Sequence, residues 1–214
     1  MKKFIPLLIA SLFACWSCNL EDTYTETNVK DMVTVKDGQM INDYGNLYNV
    51  VDDAVGASKW KAEGARYLII FDILNRNLDI SLKSVLPSLI CDELPLLDET
   101  TELSKDPVEL LIQGFSGGYY NVGFTITSAK NSEYEHYIDF YYTVDGNELT
   151  LYVEHFGNGE DITHMSSDDL VAEDRMFSIQ LEDLPKFSTL NLVMYCITTE
   201  GGEKVVQKVT ANIR

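Results

Sequence analysis

Three sets of residues have the types and spacing that chemistry could use. Gly114-Phe115-Ser116-Gly117-Gly118 fits Gly-x-Ser-x-Gly, the form of a hydrolase nucleophile elbow. That chemistry needs a helix directly after the serine, to expose its oxygen and to aim backbone N–H groups at an oxyanion. A β-like run follows instead, so the pattern reads as a hairpin turn. His136, His155 and His164 lack the i, i+4 spacing of a helical zinc pair and have no cysteine cluster beside them. His136 and His155 fall in strand-like runs and read as packing or interface residues. The third set is the acidic stretch 157–175, with Glu160, Asp161, Asp168, Asp169, Glu173 and Asp174. Calcium takes roughly six to eight oxygens from a sharply bending chain. This stretch has oxygens without a ligand register and reads as a solvated loop. The sequence therefore assigns no catalytic residue, no cofactor and no metal.

The remaining reactive residue is Cys18. Lys2 and Lys3, the apolar run from Phe4 to Phe13, and Ser17 before the cysteine have the layout of a secretory signal. The run is too short for a permanent membrane-spanning helix. Cys15-Trp16-Ser17-Cys18 resembles the lipobox of bacterial lipoproteins, which implies a signal over 1–17 and a mature chain that starts at an acylated Cys18. Leu12-Phe13-Ala14-Cys15 is a rival box, and a cleaved signal with neither cysteine modified is a third reading. Glu21 and Asp22, just behind the anchor, favour Cys18. One acyl chain binds a bilayer only marginally, so the multiple acylation that the resemblance implies is what would make anchoring durable. The expected location is the cell envelope, lipid-anchored to the outer membrane on its surface or periplasmic face.

The net charge of -18 excludes whole classes of partner. Binding to nucleic acid relies on Lys and Arg that release counterions from phosphates, and an acidic surface also repels anionic lipid. Neutral or basic partners fit better. Cys91 and Cys196, far apart and apolar-flanked, read as buried thiols.

Residues 18–28 are a polar, Thr-rich tether without periodicity. Short β-runs then follow: Met32–Val35, Leu47–Val51, Arg66–Leu74 and Leu78–Leu89, with the turns Asp37-Gly38 and Asp43–Asn46 and a loop or short helical turn at 54–64 that holds Trp60. Curled strands in so short a length suit a small closed barrel over 29–103. The acidic, Pro-marked stretch 91–106 reads as a connection. Seven strands from Val108 to Ile213, among them the alternating Tyr120, Val122, Phe124 and Ile126, have sandwich spacing over 104–214. Asp145-Gly146-Asn147 reads as a hairpin turn. Helical periodicity of useful length is absent.

In their order, the cysteine-bearing signal, Asp52-Asp53 at a strand end, Asp106-Pro107, Gly117–Phe124 and the run Leu151–Asp161 resemble the NigD-like lipoproteins of Bacteroides-type bacteria. The resemblance implies an all-β chain, an N-terminal OB-like barrel followed by a C-terminal Ig-like β-sandwich, and a bacteriocin-immunity role. In Asp53–Gly64 the family's Gly-Thr-rich turn is replaced by Ala54-Val55-Gly56-Ala57. OB barrels often bind nucleic acid through a basic groove, but residues 29–103 hold 7 Lys and Arg against 13 Asp and Glu, so no nucleic-acid partner is expected. Two function classes stay open: an envelope lipoprotein that binds a protein or peptide, and a glycan- or small-ligand-binding accessory protein of an outer-membrane uptake system. For the second, Tyr48, Trp60 and Tyr67 are the aromatic residues that could stack on a sugar ring.

Overall fold

The alternation in the strand Arg66–Ile73 sets the architecture. Successive side chains of a strand point to opposite faces. Tyr67, Ile69, Phe71 and Ile73 enter one hydrophobic core, while Arg66 and Leu68 face the other way, toward the second half of the chain. The computed structural model describes residues 24–213; Cys18, its rival Cys15 and the signal read over 1–17 lie outside them.

The first five strands are β1 (Glu26–Lys36), β2 (Gln39–Asn42), β3 (Leu47–Asp53), β4 (Arg66–Ile73) and β5 (Asp79–Cys91). Their pairings run in a closed cycle: β1 with β2, β2 with β3, β3 in parallel with β5, β5 with β4, and β4 back with β1. Such a cycle leaves no open edge. Inside it pack Val33, Val35, Met40, Tyr48, Trp60, Ile69, Phe71, Ile80 and Leu82, all buried. β1 begins at Glu26, inside the segment read as tether, because Glu26 pairs with Ile73. The four-residue β2 was too short to show as an alternation.

Seven further strands follow: β6 (Glu109–Ser116), β7 (Tyr119–Ala129), β8 (Tyr137–Asp145), β9 (Glu148–Phe156), β10 (Leu170–Gln180), β11 (Thr189–Glu200) and β12 (Glu203–Ile213). They form two layers. β6, β7 and β10 continue the first sheet, and β8, β9, β11 and β12 make a second, four-stranded one. Tyr120, Val122, Phe124 and Ile126 of β7 meet Leu149, Leu151 and Val153 of β9 between the layers, as their shared parity requires. Phe124, Phe140 and Phe177 form an aromatic cluster there, with ring centroids 5.1 to 6.3 Å apart. The turn at Gly146 lies where Asp145-Gly146-Asn147 placed it.

β5 joins the two halves. Asp79–Leu82 pairs with β3, and Ser88–Cys91 pairs in parallel with β10. Pro87 falls between those stretches, where β5 pairs only with β4, a position that tolerates a residue without an N–H. The sequence-level boundary near residue 103 therefore follows a strand that both halves share.

The segment after β3 is held by Asp53. Its Oδ1 accepts the amides of Val55 and Gly56 at 3.0 and 2.9 Å, and its Oδ2 accepts the Trp60 indole N–H at 2.9 Å. Burial pushes the Asp53 carboxyl up, but the Trp60 and backbone hydrogen bonds outweigh it and hold the carboxyl below its ordinary value. A depressed carboxyl contributes stability above its unfolded pKa of about 3.9 and loses it as pH falls through the lower folded value. Asp53→Ala is expected to destabilise by about 1–2 kcal/mol. Tryptophan fluorescence during urea unfolding would check it.

Candidate functional site

Ser116 ends β6, and Gly117-Gly118 makes the hairpin turn into β7. Its hydroxyl donates to Asp43 Oδ2 at 2.6 Å and accepts from Asn121 Nδ2 at 2.8 Å. It is a structural serine in a polar cluster at the junction of the two halves. The centre of that cluster is Arg66, whose guanidinium forms a two-pronged pair with Asp43 at 2.8 and 2.9 Å, both side chains almost fully buried. Arg66 also donates to Thr34, Ser178 and Asn121 and lies 4.0 Å from the Tyr119 ring centroid. Met32, Leu68 and Met176 form a small apolar cluster, with Leu86 and Ile112 packed against it.

His155 lies in β9, while His136 immediately precedes β8 rather than lying within a strand. The register Ile138↔His155 brings the two rings together, stacked with centroids 5.2 Å apart. His136 Nδ1 and His155 Nε2 are 3.0 Å apart, and His155 Nδ1 meets the Pro107 carbonyl at 2.8 Å. His164 is exposed, 3.9 Å from Asp161. Among the described residues no group of three or more His, Cys, Asp or Glu is placed to hold a metal.

The acidic stretch is shorter as a loop than its composition suggested, because β10 starts at Leu170. Glu173 pairs with Arg175, Asp174 accepts from Thr125, and Glu160 Oε2 accepts the Ala129 amide. These carboxylates point to different partners instead of one centre. Tyr48, Trp60 and Tyr67 are core residues, 4 to 6% exposed, so none offers a ring to a sugar. Cys91 and Cys196 are free, half-buried thiols. Burial, with Asp92 and Asp139, pushes Cys91 up to about 11, and burial with Glu109 raises Cys196, which makes both poor nucleophiles.

What remains is the outer face of the four-stranded sheet. Since Ile138, Phe140, Leu151 and Val153 point inward, the residues between them point out. Register then sets Tyr137 opposite Phe156, Asp139 opposite Glu154, and Tyr141 opposite Tyr152. The Tyr137 and Phe156 rings stack at 5.0 Å, and Lys208, opposite Tyr195, lies 5.3 Å from the Tyr152 centroid. Directly opposed like charges destabilise a sheet. Burial and Glu154 push the Asp139 carboxyl up. The connection 92–108 straps this face: Leu97 N donates to Tyr142 O, Ser104 N to Glu154, and Val108 N to Tyr195 O. Between strap and sheet lies a recess of about 370 Å³ lined by Leu97, Thr101, Tyr152, Tyr195 and Lys208.

Solved structures share this arrangement of strands. A NigD-like immunity protein from Bacteroides caccae matches with a TM-score of 0.54 and 16% identity, over 86% of this chain and 91% of that one. The chain has the NigD-like fold. A protein of unknown function from Bacteroides vulgatus matches this chain with a TM-score of 0.59 and 15% identity, over 86% of this chain and 91% of its own. A lipoprotein candidate from Bacteroides fragilis matches at 0.53 with 10% identity, over 86% and 97%. No protein-family model matches the chain, and no curated protein matches it. Among the described residues no helix is long and apolar enough to cross a membrane.

Sequence reasoning missed the Arg66–Asp43 pair and the contact between the two histidines. The histidines left a signal: His155 continues the inward parity of Leu149, Leu151 and Val153, and His136 that of Ile138 and Phe140. An arginine opening the apolar run Arg66–Leu74 was the only trace of the buried pair.

Proposed function

We propose that this chain is a membrane-anchored envelope lipoprotein that acts without catalysis by binding a protein, in the manner of bacteriocin immunity. The observation that carries the binding reading is the outer sheet face, where Tyr137, Tyr141, Tyr152 and Phe156 surround the opposed carboxylates Asp139 and Glu154. Aromatic residues are enriched at protein interfaces. A basic partner relieves the repulsion between Asp139 and Glu154, so binding gains what the free protein lacks. The immunity role rests on the likeness to the Bacteroides caccae protein, and the anchor on the Cys18 motif together with the lipoprotein candidate among the structural neighbours.

The finer architecture belongs to the same proposal. The cycle β1-β2-β3-β5-β4 is an OB-like barrel, 29–103, and the two layers from β6 to β12 are an Ig-like sandwich, 104–214. The anchor holds both to the outer membrane. The glycan reading loses the three aromatic residues on which it stood, since Tyr48, Trp60 and Tyr67 are buried.

Deleting the gene and challenging the cells with toxin from a neighbouring strain tests immunity; unchanged sensitivity counts against it. Capture of a cationic peptide partner should weaken as salt rises and should fall at least about tenfold when Asp139 and Glu154 are both neutralised. Affinity that ignores salt and both substitutions would remove the face from consideration. Cys18→Ala should release the protein from the membrane fraction, and retention there would remove the anchor.

A further inference from the structure

Among the described residues β6 is the only strand of the first sheet with a single neighbour, β7; every other strand of that sheet has at least two. The edges of the second sheet are guarded. Pro95 and Leu97 of the strap bond the backbone of Tyr142 in β8, and β12 carries Glu203, Lys204 and Lys208. Covering segments and edge charges, lysine above all, keep other chains from pairing with a sheet. β6 has neither device. Its one charge is Glu109 at the start, and it holds no lysine or proline. A bulge between Leu110 and Ile112 turns the first part of the edge away, which leaves Ile112–Ser116 as the open stretch.

That stretch lines a groove of about 180 Å³ between the two halves, with Asp31, Met32, Tyr44, Leu68 and Met176 along the rest of it. Successive side chains of a strand alternate between faces. A wall made of the consecutive residues Ile112 to Ser116 is therefore the edge of β6, where its N–H and C=O groups point. Gly114 lies in the middle of that wall. It has an ordinary φ and nothing within 4 Å of an added Cβ, so neither a turn nor packing requires a glycine. Glycine inside a strand often marks the close approach of another backbone. The rim is aromatic, with Tyr44 77% and Phe115 40% exposed. Asp31 supplies the charge: its carboxylate accepts from the Met32 amide, Asn42 and Tyr48, yet no Lys or Arg among the described residues pairs with it.

We propose that the β6 edge is a docking site for an extended, basic segment of a partner protein, which adds as a strand beside Ile112–Ser116. Its backbone bonds the free groups of β6, its apolar side chains enter the groove over Met32, Leu68 and Met176, and a lysine or arginine meets Asp31. Main-chain hydrogen bonds supply affinity in such additions, and the side-chain pockets supply specificity. Methionine walls adapt to different apolar side chains. The groove is large enough for side chains and too small for a folded partner, so the occupant is a single strand. This contact is additional to the outer sheet face.

The test selects a random-sequence peptide library, displayed on phage, against the native protein, with Gly114→Lys as the counter-target. That substitution fills the groove and gives β6 the edge charge that β12 has, and the open space at Gly114 should leave the melting curve unchanged. Selected peptides should alternate apolar residues, carry Lys or Arg, and slow amide exchange at Ile112–Ser116 on binding. Protection at β6 reports on this edge and not on the outer sheet face, so the two surfaces fail separately. Affinity should drop at least about tenfold for Gly114→Lys, and as much for the same peptide with methylated backbone nitrogens, which keeps its side chains and charge but lacks the donors. Asp31→Asn should remove most of the salt dependence. A selection that yields no peptide, peptides that bind Gly114→Lys equally well, or a methylated peptide that binds as tightly overturns the strand addition. A dimer in sedimentation that Gly114→Lys dissociates would give the edge to a second copy of the chain and overturn it too.

Discussion

Arg66→Ala is expected to destabilise the protein by about 3–5 kcal/mol, because it leaves Asp43 as a buried, unpaired charge. The guanidinium satisfies five oxygens at once: both of Asp43 and those of Thr34, Ser178 and Asn121. Those partners come from β1, the turn after β2, β7 and β10, so one side chain ties the first half to the second. Its loss also leaves Ser116 donating to a carboxylate that has lost its counter-charge. Replacing Arg66 and Asp43 together by apolar residues of similar volume should cost far less, since a buried ion pair contributes little beyond its own desolvation. Urea denaturation of the single and double variants measures this. A single-variant loss below about 1 kcal/mol, the range of exposed ion pairs, would mean that water reaches the pair.

Gly117→Ala is the second large effect, at about 3 kcal/mol or more. Gly117 has φ +58°, which strains any side chain, and an added Cβ would lie 2.5 Å from the Asp43 carboxylate. The methyl group must push Asp43 away from Arg66, so the strain of the left-handed conformation and the loss of the ion pair act together. Gly114→Ala is the control. Gly114 has an ordinary φ and nothing within 4 Å of an added Cβ, and its substitution should stay within about 0.5 kcal/mol. A nucleophile elbow predicts the reverse, with the flanking Gly114 intolerant. Thermal denaturation of the two variants separates the two uses of the same five residues.

The strands of the second half were legible because alternation needs only local information. Tyr120, Val122, Phe124 and Ile126 are buried where their parity placed them, and the Gly146 hairpin lies where its turn residues required. Two local readings failed for a nonlocal reason. The stretch 157–175 was polar enough to read as loop throughout, yet its last part is β10, whose exposed start is held by main-chain pairing with β7. Trp60 could have been a binding aromatic or a core residue by composition alone, and the Asp53 carboxylate decides for the core.

By itself the sequence determined the all-β character, the acidic composition and the parity of β7, β8 and β9. Each follows from residue type and spacing along the chain. Only the tertiary structure decided that β5 would serve both halves, that Arg66 would meet Asp43, and that His136 would meet His155 and Glu160. Those contacts join residues at least 19 positions apart at the closest approach of separate strands and loops. Which polar groups meet there is fixed by strand register and by the room that Gly117 and Gly157 leave, and neither quantity is carried by any one stretch of chain.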